Sequence, residues 1–227
     1  MAQKKTPKLR YRAEIEQLRK ISALLKRVKT DQDSVIGLEP PLPAKELEFL
    51  SQLFDAIVNK QVLNIRYRLI KANKPLSIEV HPYFLKQYNN RWYLLGLNVE
   101  FKEITSFVLD RIEAVSPMFA EYIDKPRDID FDRYFDNVVG VTIPKVKKIE
   151  HIVMRVAPDR YPYIKNKPLH PSQRCSEKEM RITIDVIPNS ELISLLLSFG
   201  SQLEVLEPQS VRDMMREHVK TLNKFYK

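Results

Sequence analysis

Residues 84–95 read Phe84-Leu85-Lys86-Gln87-Tyr88-Asn89-Asn90-Arg91-Trp92-Tyr93-Leu94-Leu95. Two stretches of alternating character meet at an Asn-Asn pair. Asparagine tolerates φ > 0, which both central residues of a type I′ turn require, so the pair predicts a two-residue β-hairpin. With that turn, Tyr88 opposes Arg91, Lys86 opposes Tyr93 and Phe84 opposes Leu95. Strand side chains alternate between faces, so Lys86, Tyr88, Arg91 and Tyr93 share one face, while Leu85, Gln87, Trp92 and Leu94 take the other. The second set is mostly apolar and predicts the core side. The first interleaves cations with aromatic rings. Such a surface can hold phosphates while bases stack on its rings, or it can be an ordinary set of cross-strand pairs with solvated charges.

The same period of two extends outward. Residues 62–68, 76–85, 91–97, 104–109 and 112–118 alternate, and five short strands this close together predict a small antiparallel barrel or a strongly curved sheet. A helix precedes them, opening near Pro43 and running to about Lys60, with Leu47, Leu50, Phe54, Ile57 and Val58 expected on its buried face. Residues 119–147 are rich in Asp and Pro and read as a connection, with Phe131, Tyr134 and Phe135 available for packing.

Beyond it, strand and helix periods alternate. Strands are expected at 149–156, 180–187 and 203–206, and helices near 158–165, at 190–199 and at 209–226, giving an α+β lobe. Asn189 or Ser190 suits the N-cap of the middle helix, with Gly200 just past its end. Ser210 to Asp213 resembles a capping box, opening a last helix expected to bury Val211, Met215, Val219 and Leu222.

The N-terminal residues differ in charge from the rest. Residues 1–30 hold ten basic groups against Glu14 and Glu16, so this arm carries +8 of the net +9 of the 227-residue chain. Residues 11–28 have helical spacing with one narrow apolar stripe (Leu18, Ile21, Leu25, Val28), fit to dock or to pair with a second copy. Pro40, Pro41 and Pro43 stiffen the linker that follows. A basic arm binds phosphate backbones without reading sequence, or serves as a solvated helix.

Composition removes several classes. The chain is 44% hydrophobic and 30% charged, a globular balance. It has no apolar run near the roughly 20 residues a membrane span needs and no h-region after its charged start, which gives a cytoplasmic expectation. Its one cysteine, Cys175, excludes a disulfide framework or a Cys-rich zinc site, and the four widely separated glycines exclude P-loop and dinucleotide fingerprints. His81, His151, His170 and His218 fall on separate elements without metal-ligand spacing. No nucleophile–base arrangement stands out, so a non-enzyme without a cofactor is expected.

Several stretches, taken in order, resemble the bacterial WYL-domain regulators. Leu63-Asn64-Ile65-Arg66-Tyr67 follows the helix end Ala56-Ile57-Val58-Asn59-Lys60, His81-Pro82-Tyr83 precedes the hairpin, Trp92-Tyr93-Leu94 lies within it, and Leu109-Asp110-Arg111-Ile112 follows the fourth strand. Three later stretches are similar to the extension that often follows WYL: Lys167-Pro168-Leu169-His170-Pro171-Ser172-Gln173, Ile187-Pro188-Asn189-Ser190-Glu191-Leu192 and Ser198-Phe199-Gly200. The resemblance covers roughly residues 45–227 and implies an SH3/Sm-like five-stranded barrel over 46–118 and a ferredoxin-like extension over 148–227; the composition adds the linker over 119–147 and the basic helical arm with its Pro-rich linker over 1–45.

It further implies transcription regulation, with the barrel sensing a single-stranded nucleic acid or nucleotide-like effector; a homodimer is expected, and the charge of the arm suits contact with DNA backbone. By matching motifs, the effector residues would be Tyr67, His81, Tyr93 and Arg111, with Lys86 and Arg91 added from the hairpin. Two departures stand out. Thr105, Ser106 and Val108 occupy positions where many members carry an arginine, and residues 1–45 are too few for the family's winged helix-turn-helix.

Overall fold

The computed structural model describes residues 44–70 and 74–227. The basic arm, its apolar stripe and the proline linker lie outside the described residues.

Helix α1 (Ala44–Val58) packs on a five-stranded antiparallel sheet made of β1 (Val62–Tyr67), β2 (Leu76–Tyr88), β3 (Arg91–Asn98), β4 (Glu103–Val108) and β5 (Ile112–Met118). The strand order is β4-β3-β2-β1-β5. Alternation fixes which side is buried. Leu63, Ile65, Tyr67, Ile78, Val80, Leu94 and Phe107 point to one face and meet Phe49, Leu53 and Ala56 of α1. Spacings of four and three put those three helix residues on one stripe. The expected stripe is therefore rotated: Phe54 and Val58 are exposed, and Leu50 and Ile57 only flank the contact. Two overlapping apolar stripes exist in α1, and spacing alone does not choose between them.

The sheet does not close. β4 and β5 are its two edges, joined by a 3₁₀ turn over Leu109–Arg111, and the turn sends β5 to the free side of β1 instead of back to β4. The closed barrel is thus corrected to an open sheet, helix-covered on one face.

Part of the other face is covered by residues 119–147, which form no regular element yet act as a strap. Phe131 lies flat on Phe84, with centroids 5.1 Å apart and planes 4° apart. Tyr83, Leu95, Leu97, Ile104, Tyr122, Ile129, Tyr134 and Phe135 complete this second cluster.

The second sheet is built from β6 (Glu150–Val156), β7 (Arg174–Ser176), β8 (Arg181–Val186) and β9 (Leu203–Glu207) in the order β7-β8-β6-β9, all antiparallel. Helices α2 (Tyr161–Asn166), α3 (Ser190–Leu197) and α4 (Gln209–Phe225) connect or follow these strands. Ile152, Met154, Ile182, Ile184, Leu192, Leu196 and Val211 form its core. Asn189 caps α3 as expected, its side-chain oxygen accepting from the Leu192 N–H at 2.8 Å.

The expected capping box of α4 does not form. The helix starts directly after Pro208, and the Asp213 carboxylate accepts from the Gln209 amide and Arg216 instead. Val211 is buried and Met215 partly so, but Val219 and Leu222 are exposed. β7, three residues long, is too short for periodicity to reveal. No helix among the described residues is long and apolar enough to cross a membrane.

Gly96 shows how closely β2 and β3 approach. A Cβ there would lie 2.6 Å from both the His81 carbonyl oxygen and Val80 Cγ1. Gly96→Ala should cost about 2–3 kcal/mol, read as a lowered denaturant midpoint at unchanged m-value. A loss under 1 kcal/mol would show that the strands have room to part.

Candidate ligand face at the hairpin end

The hairpin forms in the expected register. Asn89 and Asn90 take φ of 48° and 58°, Tyr88 pairs with Arg91 and Lys86 with Tyr93. Leu94 is buried, and Leu85 and Trp92 pack against the helix-side core. That leaves Lys86, Tyr88, Arg91 and Tyr93 on the opposite face. The Lys86 ammonium sits 5.1 Å from the Phe135 ring centre, a cation–π contact with the strap.

The 3₁₀ turn brings in two more charged groups. Arg91 Nε lies 3.5 Å from the Asp110 carboxylate. Glu113 is occupied by Arg66 and Arg68, and Arg111 forms no ion pair among the described residues. Burial raises the Tyr93 hydroxyl pKa above its ordinary value; the nearby Arg91 and Arg111 work against that rise, while Glu191 and Asp110 add to it. Tyr88 is raised likewise, by burial first and then by Glu191. The face therefore gathers Lys86, Tyr88, Arg91, Tyr93 and Arg111, with Asp110 and Glu191 beside them.

Glu191 was missed by sequence reasoning, because it lies about a hundred residues away, in the first turn of α3. Its carboxylate accepts from Thr142 N–H at 3.1 Å and the Thr142 hydroxyl at 2.6 Å, tying the end of the strap to the second sheet's domain. Gly140 (φ +88°) lies against it; a Cβ there would meet Glu191 Cγ at 2.9 Å. The sequence signals there were the Asn189 cap that starts α3 and the extension-like stretch Ile187–Leu192 that contains Glu191, neither of which points to the hairpin.

Tyr67 and His81 are not brought to this face. Tyr67 is 5% exposed, stands edge-on to Phe107 and accepts the Val108 N–H at 3.1 Å, bracing the strand end before the Arg111 turn. His81 is 2% exposed, and its Nδ1 accepts the Ile123 N–H at 3.0 Å. Next to it, the Tyr83 hydroxyl donates to the Ile123 carbonyl and the Tyr122 hydroxyl to the Pro82 carbonyl. These three side chains latch the strap onto β2.

The Leu169–Gln173 stretch is also structural. His170 Nδ1 accepts from Ser172 N–H, the Ser172 hydroxyl accepts from Asp185 N–H, and Gln173 holds Leu169 and Ile164. Among the described residues no cluster of His, Cys, Asp and Glu is placed to hold a metal. A cleft of about 870 Å³ lies between the strap and β3–β4, lined by Tyr83, Leu97, Ile104, Ile129 and Tyr134 with nearly balanced charges. None of the six candidate residues lines it, so its size does not bear on the hairpin face.

Residues 48–117 match the family model of the WYL domain, and residues 148–222 match that of the WCX domain; the two together cover more than half of the chain. The chain belongs to the WYL-domain family. It is 26% identical over 178 residues to the uncharacterized HTH-type transcriptional regulator YobV of Bacillus subtilis (strain 168), covering 73% of this chain and 52% of that protein. It thus spans about half the length of this curated relative.

Among solved structures, this WYL chain is similar to the proteasome accessory factor B/C (PafBC) of Arthrobacter aurescens, with TM-score 0.39, 18% identity and coverage of 83% of this chain and 28% of that one. It is also similar to a CRISPR Cas-related protein, with TM-score 0.49, 13% identity and coverage of 80% and 51%.

Both buried histidines bear on stability. His81 and His170 have pKa values lowered from 6.5, in each case chiefly by burial, and each uses an unprotonated Nδ1 as an acceptor. In the unfolded chain they protonate at higher pH than in the folded one, so stability falls as pH drops below 6.5 and continues down through the folded values. Denaturant midpoints measured from pH 8 to pH 5 should decline in that window. His81→Asn should be less stable at pH 8 but show a flatter profile; equal slopes would remove His81 as a source.

Proposed function

We propose that the first domain is the effector-sensing module of a transcriptional regulator, taking a single-stranded nucleic acid or nucleotide-like ligand on the hairpin-end face. Lys86, Arg91 and Arg111 meet the phosphates, with Arg111 suited to a bidentate clamp. Tyr93 offers a ring for stacking, and Tyr67 and His81 support the turn and the strap from within. The observation that carries this reading is the pairing of Lys86 with Tyr93 and Arg91 with Tyr88 on one face, close to Arg111, which forms no ion pair among the described residues. The regulator relative, YobV, supports the regulatory part. Cations and phenols without an aligned nucleophile and base suit binding rather than catalysis.

The finer fold reading follows the same division: the WYL domain over 46–118, the connection over 119–147 and the extension over 148–227. A leading helix, strand order β5-β1-β2-β3-β4 and a 3₁₀ turn before the last strand support an SH3/Sm-like ancestry for the open sheet. The β-α-β-β-α-β order of the second domain supports a ferredoxin-like one.

Titration of the protein with a short single-stranded oligonucleotide across a salt series tests the proposal. The double variant Lys86→Ala/Arg91→Ala should bind about 10-fold more weakly and lose about 1.4 from the slope of log K against log salt. Salt-insensitive binding, or binding unchanged in that variant, would sink it.

A second reading, a dimerisation module, is favoured by one observation: Val219, 54% exposed, and Leu222 extend an apolar stripe of α4 past the second domain's core. Sedimentation of wild type against Val219→Glu/Leu222→Glu decides it, a dimer lost only in the variant being the expected result.

A further inference from the structure

Independently of the effector face, the second domain gathers polar groups around its one thiol. Cys175 is the only cysteine in the sequence, and it is exposed. It is the central residue of β7, an edge strand, and pairs with the buried Ile182, which turns its side chain toward the face covered by α2. Tyr161, at the start of α2, is 2% exposed, and its buried hydroxyl makes no well-aligned hydrogen bond among the described residues. That hydroxyl lies within reach of the Cys175 sulfur, but a thiol is a weak acceptor and no well-aligned hydrogen bond forms.

Gln173 supplies a second donor with a fixed direction. Its Oε1 accepts from Leu169 N–H at 2.9 Å, and its Nε2 donates to the Ile164 carbonyl at 3.1 Å and to Cys175 Sγ at 3.4 Å. The nearby Lys165 ammonium is paired with Glu177 at 2.7 Å. Two donors thus converge on a sulfur that in its thiol form is only a weak acceptor for either. A thiolate, or an oxygen bonded to that sulfur, would satisfy both.

We propose that Cys175 is an oxidation site at which a hydroperoxide converts the thiol to a sulfenic acid whose oxygen is held by Tyr161 and Gln173. The thiol proton leaves to solvent, and the thiolate attacks the terminal oxygen of the hydroperoxide. An S–O bond forms as the O–O bond breaks. The sulfur is oxidised by two electrons and the peroxide is reduced, its leaving oxygen taking a proton from solvent to depart as water or an alcohol. The new oxygen accepts from the buried Tyr161 hydroxyl and binds the β7 edge to α2.

The test treats the full reduced chain with limiting hydrogen peroxide, traps sulfenic acid with dimedone and reads the adduct by mass spectrometry. The expected result is one adduct, at Cys175, absent in Cys175→Ser. Tyr161→Phe keeps the ring and removes only the orphaned hydroxyl, so it should fold and form the adduct about 5-fold more slowly. Wild type should also gain thermal stability on oxidation, and Tyr161→Phe should not. No adduct above the Cys175→Ser background, or an equal rate in Tyr161→Phe, overturns the proposal. Should Tyr161→Phe fail to fold, the wild-type melting temperature decides alone, and no rise on oxidation overturns it.

Discussion

The Asn89-Asn90 turn is the constraint on which the sheet and the candidate face both depend. Two adjacent residues hold φ near +50°, a conformation that β-branched or bulky side chains resist. This sets the pairing of β2 with β3, and because side chains alternate with a period of two, a slip by one residue would exchange the faces. Leu94 and Trp92 would leave the contact with α1, while Arg91 and Tyr93 would be driven into it. Burial of the apolar set therefore enforces exposure of the basic-aromatic set. One interaction stabilises the fold and presents the face, so changes that loosen the hairpin affect both together.

The strap makes a second dependence. It covers β2–β4 with aromatic rings, is latched near its start by His81, Tyr83 and Tyr122, and is held near its end by Glu191 and Asn189. Glu191 acts both on Tyr88 and Tyr93 of the hairpin and on Thr142 of the strap. Glu191 thus ties the end of the strap to α3 on the side of the second sheet that lies towards the hairpin tyrosines.

How much of this was legible in the sequence depended on the range of the interaction. All five strands of the first sheet, the Asn-Asn turn, the register and the Asn189 cap follow from neighbours a few residues apart, and the structure has them. What failed was set by distant partners. The buried stripe of α1 is chosen by the sheet it meets, not by its own spacing. Tyr67 and His81 carried the right motif but not their depth, since the strap that seals His81 comes from some forty residues away. Glu191, Asp110 as the partner of Arg91, and the exposed end of α4 required the assembled fold. The WYL likeness named the right strands, yet a shared motif marks supports as readily as contacts.

The charges at the face also limit what it can bind. Lys86, Arg91 and Arg111 are opposed by Asp110 and Glu191, and Arg91 is already engaged by one of them. A duplex held through its backbone alone needs several uncompensated cations, since each neutralised phosphate contributes through released counterions. This face has close to one in excess. Stacking contributes roughly 1–3 kcal/mol per base and needs rings rather than net charge. In the proposed function Tyr93 and Tyr88, each partly buried and paired with a cation, would supply that stacking. Under the proposed reading, that balance suits a short, unpaired ligand with accessible bases better than a duplex, and discrimination would rest on the rings and Arg111 rather than on overall charge.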